Sequence, residues 1–289
     1  MFGALMFGIA AGVAAALLAC PDPALHETTA DCPWAGIARA ARADRRAIAS
    51  RAPALWRSVA RDRRTTALHA AWGQSRNLDE HEHAAIVDPG ILDVLGKRLG
   101  VAGAGEIVHA GLQHTYGYLF STLWTAYGYK RARWVDGELE RGLGLAPGLL
   151  GPAPSSGTLY ANVTCVLARL VFSRESWDLV AASCTAAPLA ARAHDGLREE
   201  VGPVALRTDW FALSPTRFLL VYSASVSGRE RLLTSFPVDR LVIDALVAQP
   251  LGESVAITAR YNAVVPELEA GAHGGRRVVH VGGSATPAR

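Results

Sequence analysis

The side chains best suited to chemistry lie in one polar and aromatic segment, residues 109–134. Guanidinium groups beside phenols form a good seat for a carboxylate or phosphate, and a histidine that titrates near neutrality can act as a general base. The segment therefore predicts a site for a small anionic or polar ligand, with His114 as the candidate catalytic base. The candidate ligand-binding residues are His109, Gln113, Tyr116, Tyr118, Tyr129, Lys130, Arg131 and Arg133.

The backbone expected to position this segment is a pair of strands. Two Tyr-Gly-Tyr units flank a turn near residues 125–128, and alternation places tyrosines on one face of each strand. If the chain after the turn is a strand, then Tyr129, Arg131 and Arg133 share a face. A helix over residues 116–127 competes with this interpretation. A further alternative is a sheet whose tyrosines fill the core and whose arginines face water.

A second candidate site is the acidic, histidine-containing run at residues 79–83. In an extended segment His81 and His83 point the same way, and they would hold a metal ion if a third ligand came from His109 or His114. The alternative is a solvated loop that precedes a helix. The sequence has no HExxH motif, P-loop or GxSxG motif, and it identifies no cofactor.

Composition excludes several broad classes of protein. The chain has 289 residues, half of them apolar and 19% charged, so it is not mainly disordered. Its net charge of +3 is spread along the chain, which argues against nucleic acid as a partner. Four cysteines are too few for a disulfide-built scaffold. No apolar run after residue 20 is long enough to span a bilayer.

The N-terminus carries an uncharged, apolar run over residues 1–19, which ends in Leu-Leu-Ala and is followed by Cys20. This ending resembles the lipobox of bacterial lipoproteins. The resemblance implies a signal peptide over residues 1–20, export, cleavage before Cys20, and a diacylglycerol on the Cys20 thiol that anchors the protein to a membrane. The implied location is the periplasmic side of the cell envelope, or the exterior if the protein is secreted. A buried N-terminal helix or a simple membrane anchor is the structural alternative.

Export would place the remaining cysteines in an oxidising compartment. Cys165 and Cys184 are the pair most worth testing as a disulfide, and three buried thiols, counting Cys32, are equally open.

The fold class predicted from the order of elements is α+β, with a helical N-terminal half packed on a mainly antiparallel sheet. A single composite domain is favoured over two domains. The predicted regions are a tether at 21–33, helices followed by the Tyr/Arg hairpin at 34–141, a Gly/Pro-rich loop at 142–157, a sheet-rich region at 158–269 and a flexible tail at 270–289.

Several individual elements are predicted within these regions. A helix begins at Asp88-Pro89 and ends at Gly100. The hairpin signal is strongest where Ser227-Gly228 separates two apolar, β-branched runs. The other predicted elements are strands over 158–172 and 255–264, helices over 174–187 and 239–247, and a helical stretch that reaches residue 201.

Together these features predict an exported, lipid-anchored envelope protein that binds a small anionic or polar ligand. One alternative is a periplasmic hydrolase, either metal-assisted or using His114 as a base. Another is a structural or assembly lipoprotein with no small-molecule site.

Overall fold

The computed structural model describes residues 32–79, 81–101, 103, 105–185, 194–201, 203–248, 262–265 and 276–280. The predicted signal peptide with Cys20, and the tether as far as residue 31, lie outside these residues. Helices and antiparallel sheets make up the described chain, which confirms the predicted α+β class.

Helices form most of the first seventy described residues, as predicted. The helix predicted after Asp88 is confirmed: the Asp88 carboxylate accepts hydrogen bonds from the backbone N–H groups of Gly90 and Ile91, and Gly100 ends the helix with a left-handed φ of 82°. The helices are α1 (Pro33–Ala43), α2 (Ala47–Arg51), α3 (Pro53–Asp62), α4 (Thr66–Ala70) and α5 (Pro89–Leu99).

The predicted pair of strands joined by a turn is present only as a short hairpin around residues 125–128. Short helical segments, and not strands, lie on either side of it. Two glycines allow close packing in this segment: a Cβ on Gly111 would lie 2.7 Å from the Trp72 ring, and one on Gly117 would lie 2.9 Å from Leu92. The elements are β1 (Gln74–Arg76), β2 (Ile107–His109), α6 (Ala110–His114), a 3-10 turn (Gly117–Phe120), β3 (Trp124–Thr125), β4 (Gly128–Tyr129), α7 (Ala132–Val135) and α8 (Glu138–Leu143).

After the loop that follows α8, the chain forms helices α9 (Leu159–Val171) and α10 (Arg174–Ala181). The strand predicted over 158–172 was therefore wrong. The Thr158 hydroxyl caps α9 by accepting a hydrogen bond from the N–H of Ala161 at 3.1 Å, and α9 is buried on nearly all sides, so its apolar run resembled a buried strand. The disulfide between Cys165 and Cys184 is confirmed. Cys32 is also disulfide-bonded, to a partner outside the described residues.

The main sheet has five antiparallel strands in the order β10-β5-β6-β7-β8. The predicted hairpin is confirmed as β7 and β8, and the predicted helix after Asp239 is confirmed. The stretch expected to be helical up to residue 201 contains β5, and the segment expected to be a flexible tail contains β10. The elements are β5 (His194–Val201), β6 (Val204–Ala212), β7 (Arg217–Val226), β8 (Arg229–Asp239), α11 (Arg240–Ala248), β9 (Ala263–Val264) and β10 (Arg276–His280).

The sheet buries apolar side chains on both faces. Phe211, Leu219 and Val221 pack into one cluster with the helices. Alternate residues such as Leu220 and Tyr222 pack into a second cluster with α11. Coverage on both faces explains why the middle of β7 is buried without interruption. β1 pairs with β2 and β9 in a separate three-stranded sheet. None of the described helices has the length and apolar character needed to cross a bilayer.

Candidate functional site

Gln113 lies in the core, where its side chain ties together the segment between β1 and α5. Its Oε1 accepts a hydrogen bond from the Ser75 hydroxyl, and its Nε2 donates to the carbonyl of Arg76 at 3.2 Å and to Oδ1 of Asn77 at 3.3 Å. Asn77 in turn bonds both backbone groups of Val87. The amide therefore holds the fold together and is not available to a ligand.

His114 is 1% exposed and has a protein partner on each ring nitrogen. Nδ1 donates to the carbonyl of Ala110 at 2.8 Å, which leaves Nε2 to accept from the Thr234 hydroxyl. Burial, reinforced by the positive charges of Arg133 and Lys130, lowers the pKa of His114 to about 3. The ring is thus neutral and engaged on both sides, and this geometry does not support the predicted role as general base.

His109 is also held by the backbone. Its Nδ1 accepts from the N–H of Leu112 at 3.2 Å, so Nε2 carries the proton and donates to the carbonyl of His69 at 3.0 Å. Burial lowers its pKa to about 4. Together with His69, whose pKa burial also lowers, and Trp72, it lines a cavity of about 840 Å³ between the helices and the sheet.

Tyr116 belongs to a buried cluster of hydrogen-bonded side chains between α3 and α9. Its hydroxyl donates to Asp62, whose other carboxylate oxygen accepts from Thr158 at 2.7 Å. The ring stacks on Tyr160, whose hydroxyl lies 3.1 Å from Nδ1 of His69. Burial raises the pKa of Asp62 despite these hydrogen bonds. The cluster joins α3 to α9 and places Tyr116 in the core.

Arg131 and Arg133 do not share a face, because the helix α7 begins between them. Arg131 is 1% exposed; it donates to the carbonyl of Ser121 at 2.6 Å, and its guanidinium carbon lies 4.2 Å above the Tyr129 ring. Arg133 turns toward the main sheet and donates to the carbonyl of Ser235. The prediction that the two guanidinium groups form one seat was therefore wrong.

Arg133 is a buried cation with few partners. Its side chain is 5% exposed, and its guanidinium carbon lies 4.8 Å above the Tyr118 ring. In the described part of the chain it forms no ion pair, and its hydrogen bond goes to the Ser235 carbonyl alone. Burial lowers its pKa to about 10, while burial raises the pKa of Tyr118 to about 12. Because a guanidinium group has five N–H donors and Arg133 uses one of them on Ser235, other N–H groups are available to another acceptor.

Lys130 lies beside Arg133 and is 9% exposed. Its ammonium group lies 5.2 Å from the centre of the Tyr127 ring. Burial, with repulsion from Arg133, lowers the pKa of Lys130 to about 7, although Asp79 acts in the opposite direction. Asp79 is itself occupied, because its carboxylate accepts from the backbone N–H groups of His81 and Glu82.

A cavity of about 110 Å³ opens where the β3–β4 hairpin meets the end of β8. Arg133 and Tyr129 line it, and the aromatic residues Trp124 and Tyr127 stand at the same place, 56% and 40% exposed. The cavity suits a small polar group or the charged end of a larger molecule.

Two acids also line this cavity, and neither neutralises Arg133 by an ion pair. Glu138 is held by Arg217, whose Nε lies 2.8 Å from its Oε1. Arg217 also bonds Asp239 at 2.8 Å. Burial raises the pKa of Asp136 to about 6, and repulsion from Glu138 adds to this effect. Asp136 is therefore partly protonated near pH 6, which reduces its repulsion of an anion there.

The histidine pair predicted as metal ligands lies in an exposed turn, not in an extended segment. His81 and His83 are both exposed, and His83 has a φ of 49°. Within the described residues, no three His, Cys, Asp or Glu side chains converge as metal ligands would.

Sequence reasoning missed Asp136, Glu138 and Arg217. The two acids follow the Tyr/Arg segment directly and were within reach of the same argument. Arg217 comes from β7, and only the tertiary fold brings it to this cavity.

No protein-family model, no curated protein and no solved structure matches this chain.

Proposed function

We propose that this is an exported protein of the bacterial cell envelope that binds a small anion, a carboxylate or a phosphate, at the cavity lined by Arg133 and Tyr129. The observation that carries the proposal is the guanidinium of Arg133. It is buried, borders a cavity and has no ion-pair partner in the described chain.

The physical argument is the cost of burying a cation. An unpaired charge in a protein interior is destabilising by several kcal/mol in order of magnitude. Here Lys130 adds a second buried cation that repels the first. An anion in the cavity would offset both costs, and the fork of N–H groups on Arg133 suits two acceptor oxygens. Binding requires no turnover, and we assign no reaction to the site.

The test is calorimetric titration of the full protein with sodium phosphate and with sodium acetate at pH 5.5, at fixed ionic strength. We expect saturable binding of at least one anion and a loss of about ten- to hundredfold in affinity for Arg133→Gln, because a charge-assisted hydrogen bond is worth about 1.5–3 kcal/mol. The matched control is Arg57→Gln, which changes an exposed arginine of α3. Absence of saturable binding, or equal affinity in the two variants, would reject the site.

Export is supported by two features. The opening nineteen residues and Cys20 resemble a lipoprotein signal, and the Cys165–Cys184 disulfide is of a kind that persists in oxidising compartments. A thiol that carries a diacylglycerol cannot also form a disulfide. The partner of the disulfide-bonded Cys32 therefore decides whether Cys20 can carry the lipid anchor. If Cys20 is the partner of Cys32, the protein is exported without a lipid on that thiol.

The experiment for export is mass spectrometry of the protein recovered from bacterial cells, before and after reduction. Cleavage near Cys20 supports export, and intact Met1 on the soluble intracellular protein would overturn it. An N-terminal mass increased by a diacylglycerol thioether supports the membrane anchor. If reduction is needed to release a peptide that contains Cys20, the Cys20 thiol forms a disulfide, and the protein is secreted without a lipid anchor on that thiol.

A further inference from the structure

A third cavity, separate from those beside His109 and Arg133, runs between α9 and α10. Its volume is about 430 Å³, within the range of about 300–1,000 Å³ typical of small-molecule sites. One wall is a single face of α9, formed by Cys165, Val166 and Arg169, and the opposite wall contains Trp177 and Ala181 of α10. None of these residues lines the Arg133 cavity.

A disulfide links the two walls of this groove. The disulfide joins Cys165 of α9 to Cys184 just after α10, and both cysteines line the cavity. Leu145 and Leu149, from the loop after α8, complete an apolar lining. The helices are thus held together without filling the space between them.

Among the lining residues that the structure describes, Arg169 is the one charged group. Its side chain is exposed, and its guanidinium carbon lies 5.2 Å from the Trp177 ring centre. It forms no ion pair with any carboxylate in the described chain, and no hydrogen bond of its side chain is seen there. The groove therefore pairs an apolar wall with one cation at its rim.

We propose that this groove binds an amphipathic monocarboxylate. The carboxylate meets the guanidinium of Arg169 by charge complementarity, and the hydrocarbon chain lies between α9 and α10 against Val166, Ala181 and Trp177. An acid with a chain of medium length matches both the volume and the single charge. The hydrocarbon chain of the ligand supplies most of the affinity, because each buried methylene strengthens binding by about fourfold.

The probe is decanoate, titrated calorimetrically into the full protein, with octanoate, decanol and acetate as comparison ligands. We expect decanoate to bind about fifteenfold more tightly than octanoate, since it buries two more methylenes. Decanol should bind about two- to fivefold more weakly than decanoate, because an exposed ion pair is worth about 0.2–1 kcal/mol. Acetate should not compete, which separates this groove from the Arg133 site.

Two variants test the two halves of the proposal. Arg169 lies on the surface. Arg169→Gln should abolish the preference for decanoate over decanol, whereas Arg57→Gln should leave this preference unchanged. Ala181→Phe should fill the groove and remove binding of both ligands, with near-ultraviolet circular dichroism confirming that the variant is folded. No saturable decanoate binding, or binding that Arg169→Gln leaves unchanged, would overturn the proposal; the Arg169→Gln result stands even if Ala181→Phe fails to fold.

Discussion

Two buried polar regions lie within the same short stretch of sequence and differ in how their groups are partnered. Around Gln113 and His114, each polar group of the two side chains has a hydrogen-bond partner in the protein. Around Lys130 and Arg133, two cations are buried without an ion pair in the described chain, and Arg133 lines a cavity. Fully paired groups stabilise a core, whereas underpaired charges destabilise it.

The difference teaches how a structural polar group can be distinguished from one kept for binding. Removing a structural group leaves its partners unsatisfied, so stability falls. Removing an underpaired buried cation relieves a cost, so stability rises while ligand binding is lost. The same substitutions that measure stability therefore measure which region carries function.

The largest expected effect is the loss of stability in Gln113→Leu. The substitution removes three hydrogen bonds in the core and leaves the Ser75 hydroxyl and the Arg76 carbonyl without their partner. We expect the free energy of unfolding to fall by about 3 kcal/mol in urea denaturation. The control is Gln74→Leu at an exposed position of β1. A fall of similar size in both variants would remove the basis for calling Gln113 structural.

The pH dependence of stability tests whether His114 is structural. Its folded-state pKa is lowered to about 3, below about 6.5 in the unfolded chain, so the unfolded chain takes up the proton first. The stability that depends on neutral His114 is present above pH 6.5 and is lost as pH falls. Between pH 7 and pH 5 the free energy of unfolding should decrease by about 2 kcal/mol more for the native protein than for His114→Phe.

His109 contributes in the same direction, since its pKa is lowered to about 4, and it is retained in both proteins compared. The matched control for the histidine test is His81→Phe, because His81 is exposed. If His114→Phe keeps the full pH dependence of the native protein, the ring is not a buried neutral group.

Lys130→Met is expected to have the opposite effect on stability. Its pKa is lowered to about 7, whereas the unfolded chain keeps this proton up to about pH 10.4. Below pH 7 the folded protein carries the full cost of the buried charge. We expect Lys130→Met to raise the free energy of unfolding at pH 6 by about 2 kcal/mol and to weaken phosphate binding. This gain should shrink as pH rises from 7 to 10.

Lys97→Met is the matched control, because Lys97 is exposed and pairs with Asp93 on the surface at 2.8 Å. It should change stability by less than about 0.5 kcal/mol. If Lys130→Met destabilises the protein as Gln113→Leu does, the proposed contrast between the two regions fails.

The sequence predicted the main hairpin well because its signals are local. A Ser-Gly turn between two apolar, β-branched runs needs no distant partner to be recognised, and Ser227 and Gly228 both have the positive φ that such a turn requires. Asp88 and Gly100 were equally local signals for the ends of a helix. The Cys165–Cys184 pairing was predicted as one of two open possibilities.

The candidate site was predicted in composition and not in geometry. Tyr129 and Arg133 of the predicted segment do line one cavity, but tertiary packing makes part of the segment helical around Gly111 and Gly117, which pack against Trp72 and Leu92. That change turns Arg131 into the core and Arg133 toward β8. Whether a buried arginine has an ion-pair partner depends on residues distant in the sequence, and local residue spacing does not identify them.

The smallest expected effect concerns the affinity for anions as pH changes. The charged groups at the cavity are Arg133, Asp136, Glu138 and Arg217, with Lys130 beside them. Asp136, whose pKa is raised to about 6, becomes negative as pH rises, and Lys130, whose pKa is lowered to about 7, loses its charge. Both changes disfavour an anion, while the Glu138–Arg217 pair stays charged.

Acetate affinity should therefore fall by about tenfold between pH 5.5 and pH 8, which corresponds to about 1.4 kcal/mol. Acetate is a suitable probe because it is mostly ionised at pH 5.5 and fully ionised at pH 8, so its own titration changes the affinity only slightly and in the opposite direction. Asp136→Asn should reduce the pH dependence and raise the affinity at pH 8, whereas Asp93→Asn, at an exposed position of α5, should leave both unchanged. A constant acetate affinity from pH 5.5 to pH 8 would show that Asp136 and Lys130 do not face the bound anion. The contrast between paired and underpaired polar regions would then depend on Arg133 alone.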